Sequence, residues 1–269
     1  MKDIKLYKAW DIVYPVGLYY VLSNVAAFLI TLVVPYSNES YGFIKVLGTL
    51  FTLPFIYKVY RGDVIRRGEV EERNLKGILS GMRQQIWLLI GIVILAVSAA
   101  IVLNNLIAWT PLMEHSENYK QVSEAFFGGR ILFEILGPCI LVPILEEYVF
   151  RGLVYGRLRE WLNLPLAVLI SAVIFGMMHM NMVQFVYAGL LGILLALCME
   201  RTGHLYGAIL AHMAANTISI IRTETAWLSW MEDPLSVKIS VTVALSLVFA
   251  GMSILVFGKL VHTVRTDKK

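Results

Sequence analysis

The chain has 269 residues, of which 58% are hydrophobic and only 16% are charged. A typical soluble domain carries about 25% charged residues and about 45–50% apolar ones. The composition therefore excludes an ordinary soluble enzyme, a disordered chain and a disulfide-rich scaffold, and it indicates an integral membrane protein. The two cysteines, Cys139 and Cys198, lie inside apolar runs without metal-ligand spacing, and we expect them to be packing residues.

Eight apolar stretches follow one another along the chain. A transmembrane helix needs about 20 residues, and most of these stretches approach or exceed that length. The sequence therefore predicts an all-α polytopic membrane protein with about eight transmembrane helices in one bundle. In chain order the stretches lie at roughly 10–35, 42–57, 86–108, 131–155, 164–181, 183–199, 203–221 and 239–260.

Positive charges are distributed unevenly between the connecting segments. If the N-terminus is cytoplasmic, 18 of the 23 Lys and Arg residues lie on the cytoplasmic side of the eight spans. Because positively charged loops resist translocation, this distribution predicts a multi-pass protein of the cell membrane with both termini cytoplasmic. The net charge of +4 is spread over these segments, so the expected partner is the lipid bilayer and no nucleic acid.

The fourth stretch contains charged residues where charge is costly. An ionisable side chain within the hydrocarbon costs about 2.5–3.5 kcal/mol on insertion scales, so each one needs a reason. Glu146 and Glu147 are adjacent and therefore point about 100° apart on a helix. Glu147 and Arg151 have the four-residue spacing of an intrahelical ion pair, which leaves Glu146 to face another partner. Pro143 lacks a backbone donor and is expected to free a carbonyl one turn earlier and kink the helix.

Two later stretches carry polar residues at a matching depth. His179 lies in the fifth stretch, and His212 and Asn216 lie one helical turn apart in the seventh. Counting from the helix ends places Glu146 and His212 each about nine residues, or about 13–14 Å, from the cytoplasmic surface. In an antiparallel hairpin His179 is level with Glu146, so the sequence predicts a polar site near the centre of the bilayer.

Such a set of side chains has two chemical interpretations. A carboxylate beside an imidazole can take a proton from water, and an opposing imidazole and amide can stabilise the oxyanion of amide hydrolysis. One carboxylate and two imidazoles also suit a three-ligand zinc site with an open fourth position, here Glu146, His179 and His212. The chain contains no His-Glu-x-x-His motif. The residues alone leave zinc and metal-free chemistry open.

Three motifs in this order resemble those of the CAAX protease and bacteriocin-processing family, also called CPBP or Abi. The family's signatures are a Glu-Glu-x-x-x-Arg helix, a Phe-x-x-x-His helix and a His-x-x-x-Asn helix. The resemblance covers about residues 130–220. The matching positions here are Glu146-Glu147…Arg151, Phe175…His179 and His212…Asn216.

The resemblance implies a role for each motif residue. Glu146 and His179 would activate a water molecule, and His212 and Asn216 would form the oxyanion site. Members of the family have been described both as zinc metalloproteases and as metal-free glutamate proteases, so a zinc cofactor stays open. The supporting residues that brace the helix would be Glu147 and Arg151.

The resemblance also implies a fold division and a substrate class. The resemblance assigns a protease core to residues 130–222. Hydropathy alone places N-terminal transmembrane helices with a cytoplasmic loop at 58–85 before this core (1–129) and a C-terminal helix with a basic tail after it (223–269). The family comprises intramembrane endopeptidases, including the Ras-converting enzyme, and bacterial members linked to bacteriocin maturation or self-immunity. It thus implies cleavage of a peptide, lipopeptide or membrane protein, with bacteriocin maturation, peptide-signal maturation or self-immunity as the biological role.

Two other functions stay open at this stage. A membrane immunity or receptor protein could use the polar residues to bind a peptide without cleaving it. A proton-coupled transporter could use them as a proton relay, because buried carboxylates and histidines serve that purpose in membranes. The sequence has no inverted repeat of the kind that many transporters carry, which argues against the transporter.

Overall fold

The structure, a computed structural model, describes residues 2–68, 75–112 and 131–266. These ranges contain nine helices, one short 3-10 segment (Ala226–Met231) and no strand. The helices are α1 (Lys2–Thr31), α2 (Asn38–Arg66), α3 (Leu75–Gln84), α4 (Ile86–Ala108), α5 (131–159), α6 (Leu164–Met177), α7 (Met182–Thr202), α8 (Leu205–Glu224) and α9 (Leu235–Thr266).

Five of these helices, α1, α2, α4, α7 and α9, are long and apolar enough to cross a membrane. α6 is apolar but has 14 residues, about 21 Å of helix, which is shorter than the hydrocarbon core of a bilayer. The chain is thus an all-α polytopic membrane protein, as the sequence predicted. The number of eight spans stays a prediction.

Several predicted boundaries differ from those in the structure, and two of the differences change the description of a segment. The predicted loop at 58–85 begins with helix, because α2 continues to Arg66, and it also contains the ten residues of α3. The predicted stretch 164–181 extends too far, because α6 ends at Met177. The predicted boundary between residues 129 and 130 lies outside the described residues.

Asparagine side chains cap the N-termini of the two helices of the α6–α7 hairpin. The side chain of Asn163 accepts a hydrogen bond from the amide of Leu166, and that of Asn181 accepts one from Gln184. Each bond satisfies an amide that has no partner within its helix. α7 ends at Thr202 and is capped by Gly203, whose φ of 71° is accessible to glycine without steric penalty.

α5 departs from regular α-helical geometry on both sides of the Glu146–Glu147 pair. Segments Ile135–Leu141 and Tyr148–Tyr155 are π-helical, and the α-helical segment Val142–Glu147 lies between them. π turns inside α-helices are rare and occur frequently at functional sites. The irregular part of α5 therefore coincides with the carboxylates that the sequence singled out.

Small residues let α6 and α7 pack closely against each other. A Cβ atom added to Gly176 would lie 2.7 Å from the carbonyl oxygen of Phe185, and one added to Gly192 would lie 3.2 Å from the Cα of Ala172. Small residues at helix interfaces allow such backbone approach in membranes. The close hairpin holds Phe175, on α6, against α5.

Ion pairs join α2 to the C-terminal end of α5. Asp63 accepts from Arg157 at 2.5 and 3.1 Å, and Glu160 accepts from Arg66 at 2.7 and 2.9 Å. The hydrogen bonds from Arg66 lower the pKa of the Glu160 carboxyl. We call Asp63, Arg66, Arg157 and Glu160 the end cluster, because they lie where α2 and α5 terminate.

Candidate active site

The adjacent carboxylates of α5 lie in different surroundings, as their angular separation predicts. Glu147 is completely buried, whereas 13% of the Glu146 side chain is exposed. Burial of a carboxylate requires compensation by charge and hydrogen bonds. The two residues are therefore suited to different tasks, Glu147 to an internal network and Glu146 to contact with a bound molecule.

Glu147 belongs to an internal network with Arg151 and His212, which we call the inner cluster. Its Oε1 accepts a hydrogen bond from Arg151 Nη1 at 3.1 Å, which is the ion pair that the four-residue spacing predicts. The same Oε1 lies 2.8 Å from His212 Nδ1. Arg151 Nη2 donates to the carbonyl oxygen of Gly192 at 3.2 Å. A carboxylate accepts only, so Nδ1 of His212 carries a proton, and the lone pair of a neutral ring lies on Nε2.

His212 connects the two carboxylates. Its Nε2 lies 3.8 Å from Glu146 Oε2, while its Nδ1 is bound to Glu147. The other oxygen of Glu146, Oε1, lies 3.4 Å from the hydroxyl of Tyr19 on α1. The imidazole thus has one ring nitrogen fixed by a buried carboxylate and the other directed towards a partly exposed one.

The ring of Phe175 contacts several members of the site. The guanidinium carbon of Arg151 lies 4.3 Å from its centroid, a cation–π contact. The rings of His179 and His212 meet it nearly edge-on, with centroid distances of 5.0 and 5.7 Å. Phe150, on α5, lies against it at 4.9 Å. Phe175 therefore fixes both histidine rings relative to Arg151.

His179 lies in the turn after α6 rather than on a helix. Its Nδ1 lies 3.0 Å from the carbonyl oxygen of Phe175, so this nitrogen is the donor and Nε2 of the neutral ring is the acceptor. Asn181 donates to the carbonyl oxygen of His179 at 3.2 Å. Met180, between them, has a φ of 58°, which is strained for a residue with a side chain. The α7 cap thus holds His179 in place.

Asn216 lies one turn after His212 on α8, as its spacing predicts, and its amide contacts α5. Asn216 Nδ2 donates to the carbonyl oxygen of Pro138 at 2.8 Å. Pro143 has no amide hydrogen, so a carbonyl about one turn earlier lacks its helical donor. Pro138 lies five residues earlier, in the π-helical segment, and Asn216 supplies the missing donor. One N–H of the amide remains for another acceptor.

The structure brings four of the predicted residues into direct contact, whereas His179 and Asn216 are connected to them through other residues. Glu146, Glu147, Arg151 and His212 form a chain of direct polar contacts. His179 joins them through Phe175, and Asn216 joins them through α8 and Pro138. The catalytic roles of these residues stay predictions.

The proposed zinc ligands do not form a metal site in the described part of the chain. No three His, Cys, Asp or Glu side chains there converge as metal ligands would. Each histidine does have Nδ1 anchored and Nε2 directed elsewhere, an orientation that serves metal binding and proton transfer equally. Because Glu146, His179 and His212 do not converge as zinc ligands in the described part of the chain, we derive no step through a metal, and zinc binding stays a prediction.

One contact of this site was not predicted from the sequence. Tyr19 lies in the first apolar stretch and belongs to no motif, yet it reaches Glu146. A tyrosine among apolar residues in a membrane helix is ordinary, so its sequence context gives no signal. Only the packing of α1 against α5 reveals the contact.

The segment of the chain that contains the site matches the model of a known protein family. Residues 128–218 match the model described as "Type II CAAX prenyl endopeptidase Rce1-like". That segment contains all the motif residues described above. Over these residues, which we call the CPBP segment, the chain is similar to the CAAX protease (CPBP) family. The CPBP segment is about a third of the chain, and α1 to α4 lie outside it.

A curated relative supports the same assignment. The Bacillus subtilis (strain 168) protein named "Putative membrane peptidase YdiL" is 33% identical to this chain over 106 residues. The alignment covers 39% of this chain and 43% of the relative, which is less than half of either protein. No solved structure gives a significant match.

Proposed function

We propose that the chain is a membrane-embedded endopeptidase that uses Glu146 to activate a water molecule. The observation that carries this proposal is the arrangement of Glu146, His212 and Glu147, in which an imidazole lies between a partly exposed and a buried carboxylate. The CPBP family and the relative's name support a membrane peptidase in general.

The proposed activation of water depends on hydrogen-bond acceptors that can bind a water molecule and take its proton. Glu146 Oε2 and the Nε2 atom of His179 are the acceptors that this step uses. Glu146 takes a proton from water as the water attacks the peptide carbonyl, and it passes that proton to the departing amine. His179 holds the attacking water through its Nε2 lone pair.

Oxyanion stabilisation requires donors directed at the developing charge. When His212 is protonated, Glu147 stabilises the charge at Nδ1 and the Nε2–H becomes a donor. Asn216 contributes its second N–H while its first holds Pro138. Glu147 and Arg151 position His212 and do not themselves touch the substrate.

The substrate in this proposal is a peptide, lipopeptide or membrane protein that reaches the site within the bilayer. Its processing would mature a bacteriocin or peptide signal or confer self-immunity. The substrate meets an apolar turn beside His179, where Met177, Met180 and Met182 are exposed.

The test compares Glu146→Gln with wild type, both in proteoliposomes with a library of membrane peptides and in cells through their released peptides. Glu146→Gln keeps the shape of the side chain but removes the base. We expect hydrolysis to fall at least about 100-fold, in the range typical for loss of a general base. The matched control is Glu224→Gln, because Glu224 is an exposed carboxylate on α8, the helix of His212.

Two outcomes would contradict the proposal. If Glu146→Gln cleaves as fast as wild type, Glu146 is not the base. If neither protein cleaves any peptide while Glu146→Gln retains the cellular phenotype, the chain is a binding protein of the immunity or receptor type. Proton-coupled uptake by the proteoliposomes without hydrolysis would instead indicate the transporter.

A further inference from the structure

We propose that Tyr19, outside the CPBP segment, is a positioning residue that orients the carboxylate of Glu146; this inference rests on the proposed function. Its hydroxyl donates to Glu146 Oε1 at 3.4 Å, while Oε2 is directed towards His212 Nε2. The two oxygens of Glu146 thus have different partners, one on α1 and one on α8.

The ring of Tyr19 is held where its hydroxyl can act. It packs edge-to-face on Phe150, with ring centroids 6.0 Å apart and an interplanar angle of 81°. Phe150 in turn contacts Phe175, which fixes His179 and His212. Tyr19 therefore belongs to the same series of contacting rings as His179 and His212.

The backbone of α1 is fixed near this point by α5. The guanidinium of Arg157 donates to the carbonyl oxygen of Asp11 on α1 and pairs with Asp63 on α2. Asp11 lies eight residues, about two helical turns, before Tyr19. The end cluster thus sets the position from which α1 presents Tyr19 to the site.

Orientation of Glu146 matters because a glutamate carboxylate rotates with little restriction about its last bond. A hydroxyl on Oε1 selects the rotation that directs Oε2 at His212 and at the water to be activated. It also favours the ionised form of Glu146, which is the form that accepts a proton from water. The distance of 3.4 Å is long for a hydrogen bond, and such contacts shorten when substrate closes a site.

The first test is Tyr19→Phe, which removes the hydroxyl and keeps the ring on Phe150. We expect kcat to fall about 10-fold, as for loss of one hydrogen bond to a charged group, while KM changes less than about twofold. The matched control is Tyr20→Phe, because Tyr20 is an exposed tyrosine on the same helix. A Tyr19→Phe protein with wild-type kcat, or one with the loss confined to KM, would overturn the proposal.

A double-mutant cycle separates positioning from a general structural effect. Glu146→Asp shortens the side chain, so its carboxylate no longer reaches the Tyr19 hydroxyl. In that background we expect Tyr19→Phe to change kcat less than about twofold, because the contact is already lost. An undiminished 10-fold effect would show that Tyr19 acts by another route and would overturn the proposal.

An infrared measurement tests the contact independently of peptidase activity. The carboxylate stretching band of Glu146 is isolated as the difference between wild type and Glu146→Gln. Tyr19→Phe should shift this band and Tyr20→Phe should not, whether or not the protein cleaves peptides. If wild type cleaves no peptide in any assay but Tyr19→Phe shifts the band, the endopeptidase is refuted and the contact between Tyr19 and Glu146 is kept. If Tyr19→Phe does not shift the band, the positioning role is refuted.

Discussion

The inner cluster and the end cluster each contain a carboxylate paired with an arginine, but the hydrogen-bonding groups of the two clusters are satisfied to different degrees. In the end cluster both oxygens of Asp63 are bound by Arg157, and both oxygens of Glu160 are bound by Arg66. In the inner cluster Glu147 Oε2 and Arg151 Nε are buried and have no hydrogen-bond partner in the described part of the chain.

We interpret this difference as one between a structural task of the end cluster and the functional task that we propose for the inner cluster. Two paired carboxylates at helix ends connect α2 to α5 at little cost, because water reaches part of the cluster. Burying an incompletely satisfied ion pair costs free energy that must come from the rest of the fold. The inner cluster therefore lowers the stability of the fold while it holds His212 in one orientation.

The largest expected effect comes from breaking the inner ion pair. Arg151→Met leaves Glu147 buried without its cation, and we expect the free energy of unfolding to fall by about 3–5 kcal/mol. Thermal unfolding of the purified protein in detergent measures this loss.

The control for this change is the double variant Glu147→Gln/Arg151→Met, which removes both charges. It should be more stable than Arg151→Met alone, because no unpaired charge remains. A double variant that is less stable than the single one would mean that the buried charge of Glu147 is not the source of the loss.

A smaller effect is expected from crowding the inner cluster. A Cβ atom at Gly192 would lie 3.2 Å from Arg151 Nη2, Phe175 Cδ1 and the Cα of Ala172, so Gly192→Ala must displace one of them. We expect a loss of about 1–3 kcal/mol in unfolding free energy and a fall in peptidase activity through the displaced Arg151.

Gly189→Ala is the matched control, one turn earlier on α7. A Cβ atom there would meet only the carbonyl oxygen of Ala172, at an ordinary 3.8 Å, and alanine favours a helix over glycine by about 1 kcal/mol. Gly189→Ala should therefore be neutral or stabilising. Equal losses in both variants would show that close helix packing in general, and not the inner cluster, is sensitive.

Local regularities made part of this molecule predictable from sequence. The order of the helices followed from apolar runs, and the Glu147–Arg151 pair followed from a four-residue spacing. The end of α6 was misplaced, because Met178 and Met180 continue the apolar run beyond the last residue of the helix. The cap at Asn181 was the signal that a new helix begins there.

Contacts between distant parts of the chain were not predictable in this way. Asn216 was expected at the oxyanion. Pro143 predicted a free carbonyl about one turn earlier, but the sequence did not predict that the π-helical segment places it at Pro138 or that Asn216 binds it. The approach of Tyr19 to Glu146 joins residues 127 positions apart. Such contacts depend on helix rotation, which apolar composition all around a membrane helix does not determine.

The smallest expected effect lies in the end cluster, at Glu160. Because hydrogen bonds from Arg66 lower the pKa of Glu160 below its ordinary value of 4.5, the pair stabilises the folded state above that pH. The stabilisation is lost as the pH falls through the lowered pKa. Arg66 is 52% exposed and solvent screens the pair, so Glu160→Gln should cost at most about 1 kcal/mol at pH 7. Thermal midpoints of wild type and Glu160→Gln should converge as the pH falls below the ordinary pKa of a glutamate carboxyl, and a gap that widens on acidification would contradict the pairing.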